Sequence, residues 1–245
     1  MSYREIKAEC HEANLLLPKY KLAELTFGNV SVRDPAQGVF AIKPSGVDYS
    51  RLAIDDMVIV DLDGKVVEGS LRPSSDTPTH RRLFQAFPGI RSIVHSHSRN
   101  ATAFAQAGIG IPCFGTTHAD YFFGEIPVTR RMTEEEINSG YEFETANVII
   151  ERFRDLDADQ VPAVLVHCHG VFAWGSSGKK AVENALALEI VAQMALKTIQ
   201  INSCARPIDR YLLEKHFLRK HGKTAYYGQS EVELDLKVVC DNKDR

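Results

Sequence analysis

The sequence predicts an α/β fold in which a mostly antiparallel sheet is flanked by helices. Short β-like runs of about four residues recur between 29 and 97 and again near 163–174, with turn signals such as Asp34-Pro35 and Asp63-Gly64 between them. Windows toward the two ends, 3–17 and 179–199, repeat apolar residues at helical spacing instead. No internal repeat or low-complexity linker interrupts the 245 residues, so 1–229 reads as a single domain and 230–245 as an extension of uncertain order.

Taken in chain order, Ile6, Cys10, Ala13 and Leu17 form the apolar stripe of a first helix that Pro18 should close. Strands are predicted at Asn29–Val32, Val39–Ile42, Met57–Val60 and Val66–Val67. A helix opens at Thr77-Pro78, where proline tolerates the first turn, and stops at Pro88-Gly89. Strand 91–97, a helix over 98–106, strands 163–169 and 171–174, a long helix over 179–199 and a last helix over 207–220 complete the set. Val232 to Val239 has the pattern of an edge strand.

Composition narrows the function. The charge balance, 29 basic against 32 acidic residues, gives no reason to expect nucleic acid or an acidic membrane as partner. No apolar run approaches the roughly 18 residues of a membrane span. Cys10, Cys113, Cys168, Cys204 and Cys240 are odd in number and scattered, and Met1-Ser2-Tyr3-Arg4-Glu5 does not begin a signal peptide. The expectation is reduced thiols in a cytoplasmic protein.

The chemistry is concentrated in histidines. Ile93-Val94-His95-Ser96-His97 ends a strand in two imidazoles at i and i+2, which share a face and converge. His167 and His169 follow a second strand-like run, and His169, just before Gly170, is the more accessible of the two. His95, His97 and His169 would supply three nitrogens and leave coordination positions open, as in catalytic zinc sites. Cys168 would face away from the pair on a regular strand.

Three further segments carry anion-binding groups: Thr26 to Ser31, Lys43-Pro44-Ser45-Gly46, and Pro73 to Pro78, where Ser74 and Ser75 precede a helix start. Each singly is also an ordinary turn or cap; together, beside paired histidines, they favour a phosphate pocket. Asp76 has two local readings, a helix cap or a group serving the metal or a proton transfer. Thr116 to Tyr121 is a polar insert in which Asp120 is either an acid/base group or a turn residue. Tyr226 and Tyr227 follow the last helix and read as packing anchors.

Taken together, Leu25 to Ser31, Lys43 to Tyr49, Pro73 to His80, His95 to Ser98, Thr116 to Tyr121, Leu165 to Gly170 and Lys220 to Gln229 resemble the class II aldolase/epimerase superfamily, in order and over about residues 10–229. The resemblance implies a layered α-β-α fold and one zinc per subunit on His95, His97 and His169, with Asp76 at the metal; manganese or cobalt would also suit imidazoles. It assigns Asn29, Lys43, Ser45, Gly46, Ser74 and Ser75 to the phosphate, Asp120 and Tyr227 to acid/base catalysis, and Glu142 and His216 to the vicinity of the site. It further implies a homotetramer with active sites between subunits and a sugar phosphate as substrate. The related aldolases carry glutamate where this chain has Asp76, so the aspartate points to the 4-epimerase branch. There, C3–C4 cleavage and re-addition interconvert L-ribulose 5-phosphate and D-xylulose 5-phosphate, a step in arabinose, ascorbate or other sugar catabolism. The alternatives are an aldolase of the L-fuculose-1-phosphate type, a non-catalytic relative (against which the retained histidines argue) and a zinc hydrolase, for which no glutamate stands beside His95-x-His97.

Overall fold

A computed structural model of the chain describes residues 3–222 and 225–226. Its centre is a seven-stranded sheet in the order β4-β3-β2-β1-β5-β7-β6. The strands are β1 (Asn29–Asp34), β2 (Val39–Ile42), β3 (Val58–Asp61), β4 (Val66–Glu68), β5 (Ser92–Ser96), β6 (Ala163–Leu165) and β7 (Val171–Gly175), and every neighbouring pair is antiparallel. The predicted α/β class and the antiparallel sheet are both present.

Strand alternation divides the core between two faces. Val30, Val32, Val39, Ala41, Val94 and Ala173 pack under α1 (Arg4–Lys19), α3 (Arg99–Ala107) and α6 (Gly178–Ile201). Phe40, Ile42, Ile93, Phe172 and Trp174 pack on the other side with α2 (Thr77–Ala86) and α5 (Glu134–Arg152). Helices therefore cover both faces, giving the α-β-α layering. The long α6 can lie close to the sheet because its buried stripe is rich in alanine: Ala181, Ala185, Ala192 and Ala195, with Val182, Leu188 and Val191. Asn14 of α1 ties that layer to β1. Its side chain donates to the Val30 carbonyl at 3.0 Å and accepts from the Val30 N–H at 2.9 Å, holding the strand end that carries Asn29.

Several predicted boundaries shift. Pro18 lies inside α1, which runs on to Lys19. The last helix, α7, spans Arg210–His221 and starts later than predicted. Strand 163–169 ends at Leu165; residues after Val166 form a tight turn with Cys168 at φ 61, closed by a Val166 N–H to Gly170 carbonyl bond of 2.8 Å. The polar insert contains a short helix, α4 (Thr116–Ala119). The sequence pattern predicts no helix over 134–152, yet α5 is there, opened by a capping box. The Thr133 hydroxyl accepts from the Glu136 N–H at 3.2 Å, and the Glu136 carboxylate accepts from the Thr133 N–H at 2.8 Å. No helix among the described residues is long and apolar enough to cross a membrane. Tyr227 and the 230–245 segment, including the expected edge strand, lie outside the described residues.

Candidate metal centre and phosphate cleft

At one end of the sheet, the α2–α5 face opens into a cleft of about 390 Å³. Asn29 begins β1 directly opposite His95 on β5, so two of the singled-out segments meet by strand register alone. Gly28 precedes them at φ +74, and a Cβ there would come within 2.8 Å of the His95 carbonyl; glycine is needed for both reasons.

His95, His97 and His169 bring one ligand atom each within 4.8 Å of one another. The Nε2 atoms of His95 and His97 are 3.2 Å apart. Two nitrogens each about 2.0–2.1 Å from a tetrahedral zinc are separated by ~3.3 Å, so this spacing suits a shared ion. The His95 Nδ1–H donates to the Val171 carbonyl at 3.0 Å, which leaves Nε2 as the lone-pair donor. The ring also stacks on Phe172, centroids 4.3 Å apart. Burial, then the neighbouring His95 and His97 rings, push His169 down to about 4, and burial with His95 lowers His97 as well. Neutral imidazole is the form that binds metal. The donor set fits zinc.

His167 is not part of this group. It turns to the other side of the 166–170 turn, its ring over Gly108, where a Cβ would lie 2.7 Å from Cε1, and Arg131 reaches its Nε2 at 3.4 Å. The strand ends before the histidines, so alternation along a regular strand does not set their directions; the turn sends His169 alone into the cleft.

Asp76 stands at the N-terminus of α2, but its side chain caps nothing. Its Oδ2 accepts from the Asn29 side-chain amide at 2.6 Å, and the same amide donates to the Ser74 hydroxyl at 3.0 Å. Burial alone would raise the Asp76 carboxyl; the His95 and His80 imidazoles and the Asn29 amide outweigh it and hold the group below the ordinary carboxylate range. The Oδ1 of Asn29 is buried and, among the described residues, has no hydrogen-bond partner. The anion-binding segments run side by side, because the Ser45 N–H donates to the Arg72 carbonyl (2.9 Å) and the Ser74 N–H to the Lys43 carbonyl (3.0 Å). Lys43 is only 2% exposed, its ammonium 4.8 Å from the Tyr49 ring centroid, and burial lowers its pKa. An arriving anion would offset that penalty. Ser45, Gly46, Ser74 and Ser75 line the same cleft as the three histidines.

Asp120 lies elsewhere. It caps the C-terminal end of α4 and is held by α7: His216 Nδ1 at 3.1 Å, Arg219 at 2.8 Å and Lys220 at 3.5 Å. Burial would raise its carboxyl, but Arg219, His216 and Lys220 keep it below its usual range. His216 thus serves Asp120 and not the histidine cleft, while Glu142 does line the cleft. Tyr141, also in the cleft, escaped sequence reasoning; its hydroxyl lies 3.2 Å from His169 Nδ1. The signal that would have found it is Thr133-Glu134-Glu135-Glu136, a helix start overlooked among charges.

Two other histidines bear on stability. His80, beneath the site, donates to or accepts from the Ser31 hydroxyl at 2.6 Å, and burial pushes it down to about 3. His118 of α4 lies 2.8 Å from the Gly124 carbonyl and is pushed down to about 4, again by burial. Both are neutral in the fold and protonate near 6.5 when unfolded, so the unfolded chain binds more protons as pH falls below 6.5 and stability is lost. These two rings together are expected to cost metal-free protein on the order of 3 kcal/mol between pH 6.5 and 5, the slope approaching ~1.4 kcal/mol per unit for each ring only below the unfolded pKa. Urea midpoints at the two pH values check this; equal midpoints would contradict the buried neutral state.

Residues 8–196 match the model of the class II aldolase and adducin N-terminal domain family. The chain is 52% identical over 226 residues to "L-ribulose-5-phosphate 4-epimerase UlaF" of Salmonella paratyphi C (strain RKS4594), covering 92% of this chain and 99% of that protein. The same identity and coverage hold for the protein of that name from Salmonella typhi. Among solved structures, one named L-fuculose 1-phosphate aldolase superposes with a TM-score of 0.75 at 24% identity, covering 88% of this chain and 96% of that one, a likeness of fold alone. The L-fuculose-1-phosphate aldolase of Thermus thermophilus gives 0.64 at 26% identity, covering 84% and 100%.

Proposed function

Since the chain belongs to the class II aldolase and adducin N-terminal domain family, we propose that it is a metal-dependent 4-epimerase interconverting L-ribulose 5-phosphate and D-xylulose 5-phosphate. The observation that carries the reading is the joining of a three-histidine cluster and an anion-binding strip in one cleft, within a chain 52% identical to proteins of that name. The fuculose-phosphate aldolases are relatives in fold, and an aldolase that releases its fragments is the second reading.

Inverting C4 of a ketopentose phosphate by deprotonation is unfavourable, because that C–H is not adjacent to the carbonyl. Breaking and remaking C3–C4 avoids this. His95, His97 and His169, with Asp76 beside them, would hold zinc, which would supply Lewis-acid chemistry at the ketose. Asn29, Lys43, Ser45, Gly46, Ser74 and Ser75 hold the substrate's phosphate end, and the buried Asn29 Oδ1 is left to accept from a substrate hydroxyl. One of Asp120 and Tyr227 takes the C4 hydroxyl proton as C3–C4 breaks. The aldehyde fragment then turns about its own C–C bond while the phosphate stays anchored, so the anchor also prevents escape between the two steps. The other residue of the pair gives a proton to the new C4 alkoxide, and the two roles exchange in the reverse direction.

Asp120 acts at a neighbouring subunit's cleft, which accounts for its absence from the histidine cleft and requires an oligomer; the working form is read as a homotetramer. The epimerase serves sugar catabolism in the cytoplasm, with residues 1–229 as its catalytic domain. Zinc-loaded protein incubated with L-ribulose 5-phosphate should form D-xylulose 5-phosphate and stop when a chelator is added. Free glycolaldehyde phosphate without epimer would move it to the aldolases. Neither product from folded, metal-loaded protein would end the substrate assignment.

A further inference from the structure

We infer that Tyr141 is a positioning residue of the histidine cluster, accepting the Nδ1–H of His169 and so leaving Nε2 of that ring to bind metal. The inference rests on the metal-site reading above. His169 needs this support more than its two companions. His95 sits on β5, bonded to the Val171 carbonyl and stacked on Phe172. The His97 ring stacks on Phe27 with centroids 6.1 Å apart, and Gly170 leaves it room, since a Cβ there would come within 2.8 Å of His97 Cδ2. His169 hangs on a turn held through its backbone groups, the His167 N–H donating to the Thr129 hydroxyl at 3.0 Å and its own N–H to the Val166 carbonyl at 3.0 Å. Those bonds fix where the residue stands and say nothing of its ring. The Tyr141 hydroxyl, 3.2 Å from Nδ1, fixes the ring and its tautomer.

The helix is shaped to deliver that hydroxyl. Gly140, at φ −172 and ψ 69, breaks the helical path of α5 immediately before Tyr141. The two carbonyls after the break are tied by threonines: Thr145 donates to that of Tyr141 at 2.7 Å, and Thr79 of α2 to that of Glu142 at 2.5 Å. Thr79 is three residues beyond Asp76, so the segment bearing Tyr141 is fastened to the helix bearing the candidate carboxylate.

A hydrogen-bond partner on the far nitrogen of a ligand imidazole is worth ~10–100-fold in metal affinity. The test compares the full-length wild type, Tyr141→Phe and His97→Asn by zinc competition with a chromophoric chelator and by the visible spectrum of the cobalt-loaded protein. Tyr141→Phe keeps the ring, and Tyr141 is 37% exposed, so the metal-free melting temperature should match wild type. Zinc affinity should fall ~10-fold or more, and the cobalt bands should shift. Wild-type affinity with an unchanged cobalt spectrum in Tyr141→Phe would overturn the role of Tyr141. Wild-type affinity in His97→Asn would instead overturn the metal-site reading beneath it, so the two failures are distinguishable.

Discussion

Replacing His97 with asparagine is expected to remove the metal and the activity together, with epimerisation falling by about a thousandfold. Two imidazoles then remain where three converge within 4.8 Å, and an amide is a poor substitute for the lost nitrogen. His97 suits this experiment because it is the most exposed of the three, with no carbonyl orienting it, so truncation opens no cavity in the core. His95, buried between Phe172 and the Val171 carbonyl, would mix metal loss with unfolding. Metal content by mass spectrometry, melting temperature and initial rate should be measured on one preparation. An unchanged melting temperature for the metal-free protein, with zinc below about a tenth of a site per chain, is the expected pattern. One zinc per chain at a near-normal rate would remove His97 from the ligand set.

The fold was legible because strand alternation is a strong signal wherever both faces are covered. Phe40 and Ile42 pack on one side while Val39 and Ala41 pack on the other, as period-two patterning requires. The candidate site is assembled by the same sheet, through a register the sequence reading did not predict. Asn29 and His95 are cross-strand partners, so motifs 66 residues apart in sequence become neighbours through register. What period-two reasoning does not reach is the turn at 166–170, where Cys168 adopts φ 61 and His167 parts from His169, which alone joins the cluster. The member of the pair that joins His95 and His97 is His169, as the sequence reading had it.

Helix α5 was lost for a different reason. Its apolar stripe is thin (Ala146, Val148 and Ile149 are buried) and its first turn is all acidic, so it reads as a solvated stretch unless the Thr133–Glu136 capping pair is noticed. With it went Tyr141. The local reading of Asp76 as a cap also failed for a physical reason: the Asn29 amide offers its carboxylate a part-buried hydrogen bond at 2.6 Å, which the exposed end of a helix does not match.

Asp120→Asn is the second large effect, and its logic is geometric. The carboxylate is 13% exposed, gripped by Arg219, His216 and Lys220, and is not among the groups lining the histidine cleft. Asparagine is nearly isosteric, so zinc content should stay at the wild-type level. The rate should fall ~10²–10⁴-fold through loss of a proton-transfer group. If the carboxylate acts at a neighbour's cleft, His97→Asn and Asp120→Asn subunits fail for separate reasons and can repair one another. A site that pairs intact ligands from one chain with an intact Asp120 from the next arises in about a quarter of random pairings. Heteromers isolated by a different affinity tag on each variant should therefore recover roughly a quarter of the wild-type rate, while each variant alone stays near zero. Absence of recovery in verified heteromers would put both requirements on a single chain. The ion cluster around Asp120 would then be a brace between α4 and α7, and the acid/base group would have to be sought inside the cleft, beginning with Glu142.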